Sequence, residues 1–198
     1  MFETRFHGRG GQGVVTAAEL LALAAFHEGL QAQAFPSFGS ERMGAPVAAF
    51  CRIDDAPIRR REPIMTPDAV VVQDPTLLHH VEVFGGLSRD GYVLINSGRT
   101  ITELGLAELY ERHERERLLT VPASEVARSR LGRPIPNAAL LGALLALTGI
   151  VAAAALERAI AERFPGEAGK KNTLAARDAH LLASSQIVRG GLSVIADG

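Results

Sequence analysis

The stretch Gly8-Arg9-Gly10-Gly11-Gln12-Gly13 constrains this chain more than any other. Before it, Phe2–Phe6 alternates apolar and polar residues, which predicts a short strand. After it, Val14–His27 is rich in Ala and Leu and predicts a helix, with Gly29 where a helix C-terminal glycine is expected. Gln31–Phe35 reads as a second strand. Strand, glycine loop, helix and strand make a βαβ unit, which implies parallel strands and a right-handed crossover. The expected fold is therefore an α/β layered domain, with a mostly parallel or mixed central sheet flanked by helices.

The rest of the chain keeps that alternation. Strands are expected at Val47–Ile53, Ala69–Gln73, Tyr92–Asn96 and Leu118–Val121, with Ile58–Arg61 returning as a hairpin partner after the Asp54-Asp55 turn. Helices are expected at Thr76–Val81, Glu103–Glu116, Ser124–Leu131 (capped by Ser124) and Val151–Phe164. Two more are expected, one after a cap at Asn137 and a last one from Asn172 to about Ala183. Ala138–Leu156 carries no charge, but Thr148-Gly149 interrupts it and Glu157-Arg158 follow, so it reads as two buried helices and not a membrane span. Residues 1–183 are expected to form a single domain and 184–198 a C-terminal tail.

Composition narrows the function. Lys and Arg number 21 against 22 Asp and Glu, a net charge of −1, which argues against nucleic acid as a partner. Aromatic residues are 5% and tryptophan is absent, which argues against base stacking. Cys51 is the single cysteine, so disulfides within the chain, a cysteine zinc site and a cluster held by four of its own cysteines are excluded. The first residues, Met-Phe-Glu-Thr-Arg-Phe-His, show no basic segment leading into an apolar one, and a cytoplasmic chain is expected.

Gly8, Gly10 and Gly13 fit G-x-G-x-x-G between a strand and a helix. Glycines there permit positive φ and close approach, and a helix start presents free amides and a positive dipole end. A dinucleotide site also needs a carboxylate about 20 residues further on. Here the second strand ends Gln33-Ala34-Phe35-Pro36, without one. No Gly-Lys-Ser/Thr follows the loop, which excludes a P-loop. Phe35–Pro46 is a second dense segment, and a βαβ unit brings it to the same sheet edge as the glycine loop. The candidate site residues are Gly8, Arg9, Gly10, Gly11, Gln12 and Gly13, with Ser37, Ser40, Glu41 and Arg42 opposite. Two readings stay open: a ligand or partner edge, or a tight turn and a capping loop with Glu41 and Arg42 as a local ion pair. No catalytic set and no metal-ligand spacing is found among the histidines, and Cys51 in an apolar strand reads as an inert thiol. Asp74, before Pro75-Thr76, reads as a helix cap and not a catalytic acid.

Taken together, Phe6–Ala18, Gln33–Pro46, Arg52–Asp54, Val72–Leu77, Leu131–Asn137 and Lys171-Asn172 resemble the gamma subunit of 2-oxoacid:ferredoxin oxidoreductases, the pyruvate (pyruvate synthase) and 2-oxoisovalerate enzymes being closest in kind. The resemblance runs from Met1 to about Leu182. It implies a subunit of an enzyme that oxidatively decarboxylates pyruvate or a related 2-oxoacid to acyl-CoA and reduces ferredoxin. It implies thiamine diphosphate and iron–sulfur clusters in partner subunits, none of them bound by this chain alone, with coenzyme A as co-substrate of the complex. The implied partners are alpha, beta and delta subunits, with ferredoxin as electron acceptor, and no nucleic acid or membrane. On this view the glycine-loop amides, Arg9 and Gln12 offer donors to a partner or to coenzyme A. Arg42 and Arg59–Arg61 are offered to phosphates or acidic surfaces. The alternatives are a stand-alone nucleotide- or CoA-binding module, and the small subunit of indolepyruvate:ferredoxin oxidoreductase.

Overall fold

The computed structural model describes residues 1–37 and 43–196, with side chains through Arg189. Its six strands are β1 (Phe2–Arg9), β2 (Gln31–Pro36), β3 (Pro46–Asp54), β4 (Ala69–Val72), β5 (Tyr92–Asn96) and β6 (Leu118–Val121), in the spatial order β2-β3-β1-β4-β5-β6. β1, β4, β5 and β6 pair in parallel, and β3 runs antiparallel to both β1 and β2. The opening βαβ unit is thus present in split form: β1 and β2 share a direction, with β3 inserted between them. β3 pairs along the whole of β1, from Phe2↔Ile53 to Arg9↔Pro46. With both its edges taken, β3 has no place for a hairpin partner. Ile58–Arg61, bracketed by Pro57 and Pro63, accordingly forms no strand.

Helix α1 (Val14–His27) spans the residues its Ala/Leu pattern indicates. It closes on Gly29 at φ 80°, where the Leu30 amide donates to the Ala25 carbonyl and the Gly29 amide to Phe26. The expected helix over Glu103–Glu116 is not continuous. Gly105 turns left-handed at φ 76°, leaving only the short α2 (Leu109–Arg112) and a 3₁₀ turn at Arg115–Arg117. α3 (Ala123–Leu131) starts one residue before Ser124. The Ser124 hydroxyl accepts from Asn96 Nδ2 at 2.8 Å instead of capping. α4 (Asn137–Thr148) and α5 (Ala153–Arg163) divide the uncharged stretch at Gly149, φ 63°. α6 runs from Glu167 to Ala196, so Asn172 lies inside it, donating back to the Ala168 carbonyl at 2.9 Å, and Ser184 marks no break. No helix among the described residues is long and apolar enough to cross a membrane.

The helices other than α2 cover one face of the sheet, where Phe6, Cys51, Val71 and Leu94 meet Ala and Leu of α1 and α4. α4 is buried all round, and Gly142 lets α6 come close: a Cβ there would stand 2.0 Å from the Ala176 carbonyl oxygen. The other face is covered without a long helix. Val70, Val72, Val93 and Ile95 pack there against Leu77, Val83, Ile101 and Leu109. Because β1, β2, β4, β5 and β6 run one way, their carboxyl ends, with the glycine loop, share one edge of the sheet.

Candidate functional site

The glycine loop takes its shape from steric need. A Cβ on Gly8 would come within 2.6 Å of Val14 Cγ2, and one on Gly13 within 2.9 Å of Asn137 Nδ2. Gly11 and Gly13 sit at φ 90° and 75°, the left-handed region glycine tolerates best. Gly10 bridges to the second segment: its amide donates to the Ala45 carbonyl at 2.9 Å, and its carbonyl accepts from the Gly44 amide at 3.1 Å. The glycine loop and the end of the Phe-Pro segment therefore meet. Met43, 87% exposed, stands over Gly11, where a Cβ would meet its sulfur at 2.6 Å. Ser37 lies beyond β3 from the glycine loop, its amide donating to the Ala48 carbonyl at 2.8 Å. Ser40, Glu41 and Arg42 lie outside the described residues.

Arg9 and Gln12 are turned inward on their own loops. Gln12 Oε1 accepts the Arg9 amide at 2.7 Å, and Gln12 Nε2 donates to Asp74 Oδ2 at 2.7 Å. The Arg9 guanidinium donates to Thr76 Oγ1 at 2.8 Å and to the Gly44 carbonyl at 3.1 Å, and Nε stands 3.2 Å from Asp74 Oδ2. Asp74 also accepts from the Thr76 amide at 3.0 Å and hydroxyl at 2.6 Å, capping the 3₁₀ turn Pro75–His79. Burial pushes the Asp74 carboxyl upward. The hydrogen bonds from Thr76 and Gln12, with the charge of Arg9, outweigh that and hold it below the ordinary carboxylate range. The Arg9 and Gln12 side chains, which the sequence offered to a ligand, are thus spent on fastening three loops together.

The free donors lie on the other side of the loop. Gly11, Gly13 and Thr16 line a cleft of about 480 Å³ with the α3–α4 linker and the α5–α6 corner. Among the described residues no hydrogen bond occupies the amides of Gly11, Gly13, Val14, Val15 or Thr16. Arg133 and Lys171 are exposed cations on the lining, and Glu167 is its carboxylate, 4.0 Å from Lys170. Asn137 is 4% exposed; its Oδ1 accepts the Ala138 amide at 2.8 Å, while Nδ2 has no partner among the described residues. A helix start, two cations and an unpartnered carboxamide donor favour an anion. Sequence reasoning treated Asn137 and Asn172 only as caps and named no role for Arg133 or Lys171. The signal was in hand: both segments, Leu131–Asn137 and Lys171-Asn172, belong to the resemblance. Arg59–Arg61 follow β3 off the opposite edge of the sheet and are exposed, so they do not converge on this cleft.

Burial pushes the Cys51 thiol, inside β3, far above its ordinary range. Among the described residues no group of His, Cys, Asp and Glu is placed to hold a metal ion.

These features define an α/β chain with a polar cleft beside the glycine loop, at the carboxyl edge of a mixed sheet. The family model for pyruvate ferredoxin/flavodoxin oxidoreductase matches residues 3–182, and the chain belongs to that family. It is 51% identical over 180 residues to pyruvate synthase subunit PorC of Methanothermobacter marburgensis, covering 91% of this chain and 96% of that one. It is 52% identical over 181 residues to the pyruvate/ketoisovalerate oxidoreductases common subunit gamma of Pyrococcus abyssi, covering 90% and 95%. Among solved structures, pyruvate oxidoreductase subunit PORC of Thermotoga maritima superposes with a TM-score of 0.76 at 38% identity, over 90% of this chain and 94% of that one. The fold class and the oxidoreductase-subunit reading made from the sequence agree with these relatives.

Proposed function

We propose that this chain is the gamma subunit of a thiamine diphosphate-dependent 2-oxoacid:ferredoxin oxidoreductase, and that its cleft receives coenzyme A. The reaction oxidatively decarboxylates pyruvate or a related 2-oxoacid, passes the electrons to ferredoxin and leaves the acyl group on coenzyme A. Thiamine diphosphate supplies the carbanion chemistry, bound in a partner subunit, and the clusters likewise belong to partners. The match over nearly the full length of gamma-subunit relatives carries this reading. The alpha, beta and delta subunits are the partners, and the edge bearing Met43 and the glycine loop is the docking edge.

Within the complex this chain binds and orients. Coenzyme A brings phosphates, and Arg133, Lys171, Asn137 Nδ2 and the α1 amides are donors that suit them. Calorimetry of the full chain with coenzyme A tests the cleft. Wild type is expected to bind, and Arg133→Ala or Lys171→Ala to weaken binding about 10-fold or more, the worth of a charge-assisted hydrogen bond. Equal binding by both variants overturns the cleft as the site. Purification from the native cell tests the assembly: the chain is expected to emerge with a thiamine enzyme. Reconstituted activity that does not depend on this chain overturns the subunit reading.

A further inference from the structure

We infer that Asp74 is a positioning residue for the anion cleft, holding the glycine loop in the shape that aims its free amides outward. This rests on the cleft reading above. Among the described residues Asp74 makes no hydrogen bond to the lining of the cleft, yet through Gln12 Nε2 at 2.7 Å and Arg9 Nε at 3.2 Å it grips both ends of the turn between Gly8 and Gly13. Gln12 in turn accepts the Arg9 amide, and its carbonyl accepts from Gln73 Nε2 at 3.1 Å. Gln12 is therefore held in one orientation. Its oxygen must face the Arg9 amide and its nitrogen the Asp74 carboxylate, since the reverse would set donor against donor and acceptor against acceptor.

The consequence is geometric. Gly11 and Gly13 flank Gln12, both in the left-handed region, and both line the cleft. A loop with four glycines in six residues has many alternative conformations, and glycine loses more conformational freedom on ordering than any other residue. An anion site made of backbone amides works only if those amides converge before the ligand arrives. Asp74 meets that requirement from outside the cleft, from the end of β4. The same carboxylate, through Thr76 Oγ1 and Arg9, also ties in the Gly44 carbonyl of the β2–β3 connection.

The test is a charge exchange across the Gln12–Asp74 contact, read by coenzyme A binding to the full chain. Asp74→Asn sets a carboxamide against the Gln12 amide and is expected to weaken binding about 10-fold. Gln12→Glu sets two carboxylates at hydrogen-bond distance and is expected to weaken it at least as much. In the double variant the carboxylate introduced at position 12 still accepts the Arg9 amide, while the carboxamide introduced at position 74 donates to it. Binding by the double variant is expected to return to within about 3-fold of wild type. Thermal melts check folding. Should Asp74→Asn fail to fold, Thr76→Val, which removes the hydroxyl shared by Asp74 and Arg9, is expected to weaken binding about 3-fold. Wild type without affinity for coenzyme A overturns the cleft reading. Wild type that binds, with single variants that bind equally or a double variant no better than the singles, leaves that reading standing and overturns the role of Asp74.

Discussion

Two arginines on neighbouring strands make similar contacts in different surroundings. Arg52, on β3, is 1% exposed: it donates to Glu3 Oε1 at 2.6 Å and to the Glu62 carbonyl at 2.7 Å, and lies over the Phe35 ring. Arg9, at the end of β1, also pairs with a carboxylate and a loop carbonyl, but is partly open to solvent beside Asp74. Arg52 belongs to a buried polar floor, with Arg5 donating to the carbonyls of Ile64, Val83 and Gly85. Residues 55–68 run over that floor with little backbone pairing of their own, so the arginines supply the hydrogen bonds that a neighbouring strand would otherwise give them. The Arg9 network shapes a rim instead. One arrangement holds the chain together and the other holds a surface ready.

Truncating each arginine in turn separates the floor from the rim. Arg52→Ala leaves the buried Glu3 carboxylate without its partner and frees the Glu62 carbonyl, and about 3–5 kcal/mol of stability is expected to be lost. Arg9→Ala removes a partly solvated pair and is expected to cost about 1 kcal/mol or less, while weakening coenzyme A binding through the loosened loop. Urea unfolding of the two variants measures both. Equal losses would mean that the rim is as structural as the floor.

His7 sits on β1 between Arg5 and Arg9 and gives a second test. Desolvation, with the charge of Arg5, lowers its pKa to about 4. The unfolded chain takes up that proton near pH 6.5, so stability is full above pH 6.5 and is lost as the pH falls from there to about 4. The loss from this one group is expected to be about 3 kcal/mol, flattening below pH 4. In His7→Gln that part of the acid slope is expected to disappear while the carboxylate-driven part remains. Unfolding free energies at pH 7, 5.5 and 4 distinguish the two; an unchanged slope in the variant would place the acid sensitivity elsewhere.

The same contrast explains what the sequence discloses. β1, α1, β4, β5 and β6 are legible because each is apolar with one period and ends in a clear stop, such as Gly29 after α1. The place of β3 between β1 and β2 is not legible, because local pattern does not say which strand edge a segment will fill. The helix over Glu103–Glu116 fails because the charge pattern suits a helix while Gly105 turns the chain out of one. At the site, the glycine loop announces itself, but the fate of its polar residues does not. Arg9 and Gln12 look like free donors until Asp74 and Thr76, far along the chain, are seen to take them. Asn137, Arg133 and Lys171 reach the loop only through the packing of α4 and α6, which no local spacing encodes.

On the rim itself, strain and function can be separated at two glycines. Gly13 and Gly29 hold nearly the same left-handed backbone, at φ 75° and 80°, one before α1 and one after it. Alanine at either position meets the same conformational penalty, about 1–2 kcal/mol. The surroundings differ. Nothing lies within 4 Å of a Cβ on Gly29, whereas a Cβ on Gly13 stands 2.9 Å from Asn137 Nδ2, the unpartnered donor of the cleft. The two variants are therefore expected to melt within a few degrees of each other, yet only Gly13→Ala is expected to lose affinity for coenzyme A, because the new methyl must displace that carboxamide. Gly29→Ala serves as the strain-matched control that an arbitrary surface substitution cannot provide. If both variants bind alike, Asn137 is a packing residue, and the cleft must draw its affinity from the cations and the helix start alone.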